Sequence, residues 1–180
     1  MGSAHRNMKP LAILASLALA ACDVGVFGPD GASGGDDTTK CVDRASPPTA
    51  YTHTAGAGGG TNAGMSCIEA NCHSKAAPGP NAPPWQYAGT LYQADGTTPN
   101  AGAIIRIMAG GSVAKTTTDM AGNFYFPDMA LATPFPANTQ ATACPTLMPM
   151  SGTLAAGQGS CNGGTGGACH DTARRMTLSP

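Results

Sequence analysis

Residues 64 to 74 read GMSCIEANCHS. Cys67 and Cys72 flank four residues, and His73 follows directly. A second stretch, SCNGGTGGACHD, separates Cys161 and Cys169 by seven residues, with His170 next. Three chemistries use these residue types. Two thiols in an oxidising compartment join as a disulfide. Two cysteines beside a histidine can bind a c-type haem, the sulfurs forming thioethers with the porphyrin and the imidazole reaching the iron; the usual spacing is Cys-x-x-Cys-His. Thiolates and imidazole together also make tetrahedral zinc sites.

The spacing and the compartment weigh these against one another. The chain has seven cysteines. If Cys22 is set aside for lipid, as argued below, six remain, and an even set in an exported chain favours disulfides. The simplest pairing joins Cys67 to Cys72, Cys161 to Cys169, and Cys41 to Cys144. Haem c is the alternative cofactor. Its ligand set would be Cys67, Cys72 and His73 at one site and Cys161, Cys169 and His170 at the other. The four-residue gap can bulge outward, whereas the seven-residue gap must be ordered around the haem edge. A low-spin carrier needs a second axial ligand; His53 is one candidate, and Met65, Met148, Met150 and Met176 are others. For His53 the bland reading is a solvated tether residue, and for the methionines it is packing. Zinc ranks last, because thiolates outside the cytoplasm are consumed as disulfides first. No metal site is assigned.

Other chemistry is missing from the pattern. There is no nucleophile elbow and no phosphate loop. The scattered carboxylates include no pair that marks a glycosidase. Asp36-Asp37 reads as solvated, and Asp95 and Asp119 read as turn formers rather than calcium ligands. The expectation is a protein that is not an enzyme and has no catalytic residues.

The segments that must position these stretches differ in composition. Arg6 and Lys9 precede an apolar run, LAILASLALAA, at 11 to 21. That run is too short for a stable membrane span and fits a signal peptide over 1–21. Its end, Leu19-Ala20-Ala21-Cys22, resembles the lipobox of bacterial lipoproteins, which implies a lipid on Cys22 and an exported, membrane-anchored chain. With Arg6 and Lys9 removed, seven basic residues stand against ten acidic ones, a net charge of −3. No basic patch survives, which argues against a nucleic-acid partner. Residues 22–63 are rich in Gly, Ser, Asp and Thr with no apolar period, and read as a flexible tether. The first Cys–His stretch and a Pro-rich linker occupy 64–84.

Between 85 and 150 the pattern becomes that of strands. WQYAGTLYQ puts Tyr87, Gly89 and Leu91 on one face. AIIRIM puts Ala103, Ile105 and Ile107 on one face and Arg106 on the other. SVAKTTT follows; NFYFPDM sets Phe124 and Phe126 against Tyr125; NTQATA is weaker. Asp95-Gly96, Gly110-Gly111 and Ala121-Gly122 mark turns. Short strands with turns about every ten residues predict an all-β fold, a small antiparallel β-sandwich with irregular Cys-rich flanks. Residues 151–180 form the C-terminal Cys–His segment and a closing strand.

The segment AGTLYQADGTTPNAGAIIRIMAGGSVAKTTTDMAGNFYFPDM resembles the carboxypeptidase regulatory-like, or transthyretin-like (prealbumin-like), family. The elements that carry the resemblance are Gly89-Thr90-Leu91, Asp95-Gly96-Thr97, Pro99 to Ala103, Thr116 to Asp119, and Gly122 to Phe126. It implies a non-catalytic domain serving as spacer, stabiliser or binding surface, with an envelope protein or polysaccharide as partner. The order of segments is also similar to a group of exported proteins that carry plain Cys-x-x-Cys-His motifs in both places. That resemblance implies the haem alternative.

Overall fold

A computed structural model describes residues 36–50, 60, 62–163, 170–171 and 173–179. Six strands form in the order β1 (Trp85–Thr90), β2 (Ile104–Ala109), β3 (Ser112–Thr117), β4 (Asn123–Pro127), β5 (Ala137–Ala143) and β6 (Thr146–Pro149). Among the described residues there is no helix. β1 and β4 make one antiparallel sheet; β3-β2-β5-β6, in that order, make the other. The predicted all-β sandwich is therefore present.

Alternation decides which side chains enter the core, because successive residues of a strand face opposite ways. Tyr87 pairs with Phe126 and Gly89 with Phe124 across β1 and β4. Ile105 and Ile107 face them from β2, and all five non-glycine members are buried. Full burial of such side chains contributes about 1.5–3 kcal/mol each. The Tyr87 ring meets the Phe126 edge at 5.9 Å and an interplanar angle of 85°. Its hydroxyl donates to the Pro134 carbonyl. The core also takes Leu154, Cys161 and Leu178 from the C-terminal segment. That segment completes the sandwich rather than flanking it.

Two irregular stretches cover the outward faces. Residues 36–48 cross the four-stranded sheet as a strap. Cys41 is bonded to Cys144, just after β5, as the sequence pairing expects. Arg106 projects outward from β2 as predicted, yet it is only 1% exposed. Its Nε lies 3.2 Å from Asp36 Oδ2, and it donates to the Lys40 carbonyl at 2.9 Å. Gln140 donates to the Thr38 carbonyl, Val42 to the Thr142 hydroxyl, and Ala45 to the Gly102 carbonyl. Gly102 has φ 77°, and a Cβ there would strike the Ala45 carbonyl oxygen. The expected flexible tether is thus ordered against the sheet over this part. Most of its hydrogen bonds to the sandwich use its main-chain groups, which composition does not reveal. Of the acidic pair read as solvated, Asp36 meets Arg106, while Asp37 binds Thr39 and Lys40.

Candidate functional site: two Cys–His segments on one strand

The second cover, residues 62–84, lies on the outward face of β1 and β4. Gly64 donates its amide to the Thr90 hydroxyl at 2.8 Å, and that hydroxyl donates to Asn123 Oδ1 at 2.7 Å. A tight turn follows, with Cys72 N on the Glu69 carbonyl and His73 N on the Cys67 carbonyl, both at 3.0 Å. Asn71 adopts a left-handed φ of 65° within it. Asparagine tolerates that conformation better than most residues. Gly79 then donates to the Cys72 carbonyl, and Trp85 to the His73 carbonyl, which leads the chain into β1.

His73 is 8% exposed. Its ring lies flat on Trp85, with centroids 3.3 Å apart and planes within 4°. Trp85 stacks in turn on Tyr125 at 4.5 Å. Nδ1 is 2.7 Å from the Pro83 carbonyl oxygen. A carbonyl only accepts, so Nδ1 carries the proton and donates. That is the arrangement by which proteins orient an imidazole for a metal.

Cys67 and Cys72 are both thiols, so the expected bridge between them is not formed. Cys72 is exposed and Cys67 is half-buried. Burial, followed by the nearby Cys72 and Asp119, pushes the Cys67 thiol up to about 12.

The C-terminal stretch runs along the other edge of β1. Ala88 donates to the Gly159 carbonyl at 3.0 Å, and Cys161 donates to the Ala88 carbonyl at 2.9 Å, a parallel bridge. Asn162 accepts from the Thr90 amide. Gly159 lies so close to the Gln86 carbonyl that any Cβ would collide with it. Cys161 is buried against Gly89. His170 pairs with Asn162, and its Nδ1 lies 3.0 Å from the Arg174 carbonyl oxygen. By the same reasoning it donates from Nδ1. Asp171 shapes the turn that returns this carbonyl, accepting from the amides of Ala173 and Arg174 at 2.9 Å.

The fold therefore brings the two stretches together. In each, a serine precedes the first cysteine, and these serines, Ser66 and Ser160, are hydrogen-bonded at 2.9 Å. Cys22, His53 and Cys169 lie outside the described residues, as do the signal segment 1–21 and much of the tether. Of the methionines considered as ligands, Met176 reaches Gly89 beside Cys161, while Met65 and Met148 are exposed. The carboxylates of Asp95 and Asp119 are occupied as turn caps, on Thr97 and Thr98 and on Ala121 and Asn123.

Two features of the site escaped the sequence reading. The stack of His73, Trp85 and Tyr125 joins positions 12 and 40 residues apart and has no sequence period. Asn100, 1% exposed, donates to the Leu178 carbonyl at 2.8 Å and so secures the end of the C-terminal segment. No protein-family model matches the chain, and comparison with curated proteins and with solved structures finds no match. Among the described residues no helix is long and apolar enough to cross a membrane.

Proposed function

We propose that the protein is an exported, lipid-anchored, non-enzymatic binding module. Cys22 carries the lipid, Cys41–Cys144 staples the sandwich, and the paired Cys–His segments on β1 form the binding surface toward an envelope protein or polysaccharide. The observation that supports this reading is the convergence of the two segments through Ser66 and Ser160. It joins parts of the chain 94 residues apart beside β1. Membrane fractionation of Cys22→Ser tests the anchor: the variant moves to the soluble fraction. Retention on the membrane would refute it. The surface is tested by comparing capture of envelope material by the full chain and by Ser66→Ala/Ser160→Ala. Loss of capture with the fold intact supports the reading, and equal capture by both sinks it.

A second reading is favoured by the two histidines, each donating Nδ1–H to a main-chain carbonyl. In it the chain is a c-type electron carrier. Cys67 and Cys72 would hold the porphyrin by thioethers and His73 the iron, with Cys161, Cys169 and His170 as the second set. The unbridged state of Cys67 and Cys72 fits this use. A bound haem supplies one-electron transfer; the chain supplies the orientation of His73 through Pro83 and Trp85. Haem staining on a denaturing gel decides between the readings, after expression with the haem-attachment machinery. A stained band establishes the carrier. A colourless protein whose mass has lost one hydrogen molecule per bridge excludes it.

A further inference from the structure

The strap differs from every other covering segment in how it is held. None of residues 36–50 is buried. The apolar core takes no side chain from residues 36–48. Apart from the disulfide, the strap rests on hydrogen bonds and the ion pairs of Asp36 with Arg106 and Lys115. Val42 and Ala45 donate to the sheet. Cys144, just after β5, and Met120, between β3 and β4, donate to the carbonyls of Val42 and Pro48. Arg44 donates to Asn100 Oδ1 at 2.6 Å and to the Ala101 carbonyl at 2.8 Å. Water can replace every one of these partners, so their net contribution is small against the entropy of ordering the segment.

Arg106 points the same way. The charged groups facing it are Asp36 on the strap and Lys115, its cross-strand partner on β3, whose Nζ is 3.9 Å from the same Asp36 oxygen. Removing one member of a buried pair strands the other without a counter-charge. Lifting the whole strap does not do this, because Asp36 and Arg106 then both meet water. The ion pair therefore resists substitution more than it resists detachment.

We propose that Cys41–Cys144 is a redox-operated latch. Its reduction by a dithiol releases residues 36–48 as a unit, while the sandwich beneath stays folded. A thiolate of the dithiol attacks one sulfur of the bond and expels the other cysteine as a thiolate, which takes a proton. The second thiol of the reductant then resolves the mixed disulfide and frees the remaining cysteine. Two electrons pass to the protein, and the dithiol leaves as a disulfide. Opening uncovers Arg106 on the sheet and takes Asp36 away from Lys115.

Amide hydrogen exchange on the full chain, oxidised and then reduced by a dithiol, tests the latch. The expected result is at least about a tenfold loss of protection at Val42, Ala45, Met120 and Cys144. The amides of β1, β2 and β4 keep theirs. Equal protection of the strap in the reduced protein would show that hydrogen bonds suffice to hold it, and would overturn the proposal. So would joint loss of protection across the sandwich. Cys41→Ser/Cys144→Ser reproduces the open pattern without reductant; if that variant does not fold, the bond holds the sandwich and the latch idea falls. Cys67→Ser/Cys72→Ser keeps the response to reductant, and loss of the response there assigns it to the wrong cysteines.

Discussion

The two segments that cover the sandwich solve one problem in different ways. Residues 36–48 cover the four-stranded sheet with polar contacts and one covalent bond. Residues 62–84 cover the two-stranded sheet with a buried histidine stacked on Trp85, and their two cysteines are unbridged. A polar cover competes with water at every contact, so it needs a bond that water cannot replace. An aromatic cover draws on apolar area and ring stacking, worth about 0.5–1.5 kcal/mol per pair beyond burial. Its two cysteines stay as thiols, while the strap's cysteine is bonded to the sandwich.

The comparison is most directly broken at the strap. Cys41→Ser/Cys144→Ser opens a loop with a sequence separation of 103 residues. The chain-entropy account gives a loss of about 4–5 kcal/mol for a loop of that size. Denaturant unfolding measures it, and a loss below about 1 kcal/mol would show that the bond is incidental. Trp85→Ala attacks the other cover. The side chain is half-buried between His73 and Tyr125, so a loss of about 2–3 kcal/mol is expected, below the full range for a core aromatic. It should also expose the 62–84 segment to protease while leaving the strap protected; simultaneous loosening of both covers would contradict their independence.

Smaller effects sharpen the contrast. Asp36→Asn keeps the shape but removes the charge facing Arg106, and should cost about 1–2 kcal/mol, since the pair is only partly withdrawn from water. Thermal melts read it, and an unchanged melt would mean that the Lys40 carbonyl and Gln140 suffice. In the cover over β1, burial holds the Cys67 thiol up to about 12, so few molecules carry the reactive thiolate near neutral pH. Alkylation at pH 8 should therefore be at least about a hundredfold slower at Cys67 than at an ordinary exposed thiol. Matching rates would show that the sulfur is open to solvent. The smallest effect is expected away from both covers. The Thr98 side chain and the amides of Thr97 and Thr98 hold Asp95 down to about 2. A depressed carboxyl stabilises the fold above its ordinary value near 3.8 and loses that contribution as pH falls toward 2. A pH titration of stability should show Asp95→Ala losing less than the parent across that window.

The sandwich was legible because alternation is a local property. Tyr87, Ile105, Ile107, Phe124 and Phe126 could be placed inward from a period of two alone, and all are buried. β6 went unassigned, since Thr146–Pro149 is short and ends in proline. Of the proposed bridges, Cys41–Cys144 is present, but the local clip at Cys67 and Cys72 is not. Nearness in sequence says little about which way two side chains point in a tight turn. The strap was hidden because most of its hydrogen bonds come from carbonyls and amides, which every residue carries. One signal did exist. A lone arginine inside AIIRIM, with isoleucines around it, calls for a counter-charge, and Asp36-Asp37 was the acidic pair ahead of Cys41. The meeting of Ser66 with Ser160 could not be read from either stretch alone, because β1 brings them together.

The point where the strap is bonded also decides how the molecule bears a load. Cys144 directly follows β5, an inner strand of the four-stranded sheet. A pull on Asp36 can peel the first few residues by parting their contacts one at a time. It then stops at Cys41, and tension passes into the middle of the sheet rather than to its edge. The few residues before Cys41 act as a short compliant lead, and the covalent bond shields the segment between Cys41 and β1 from strain.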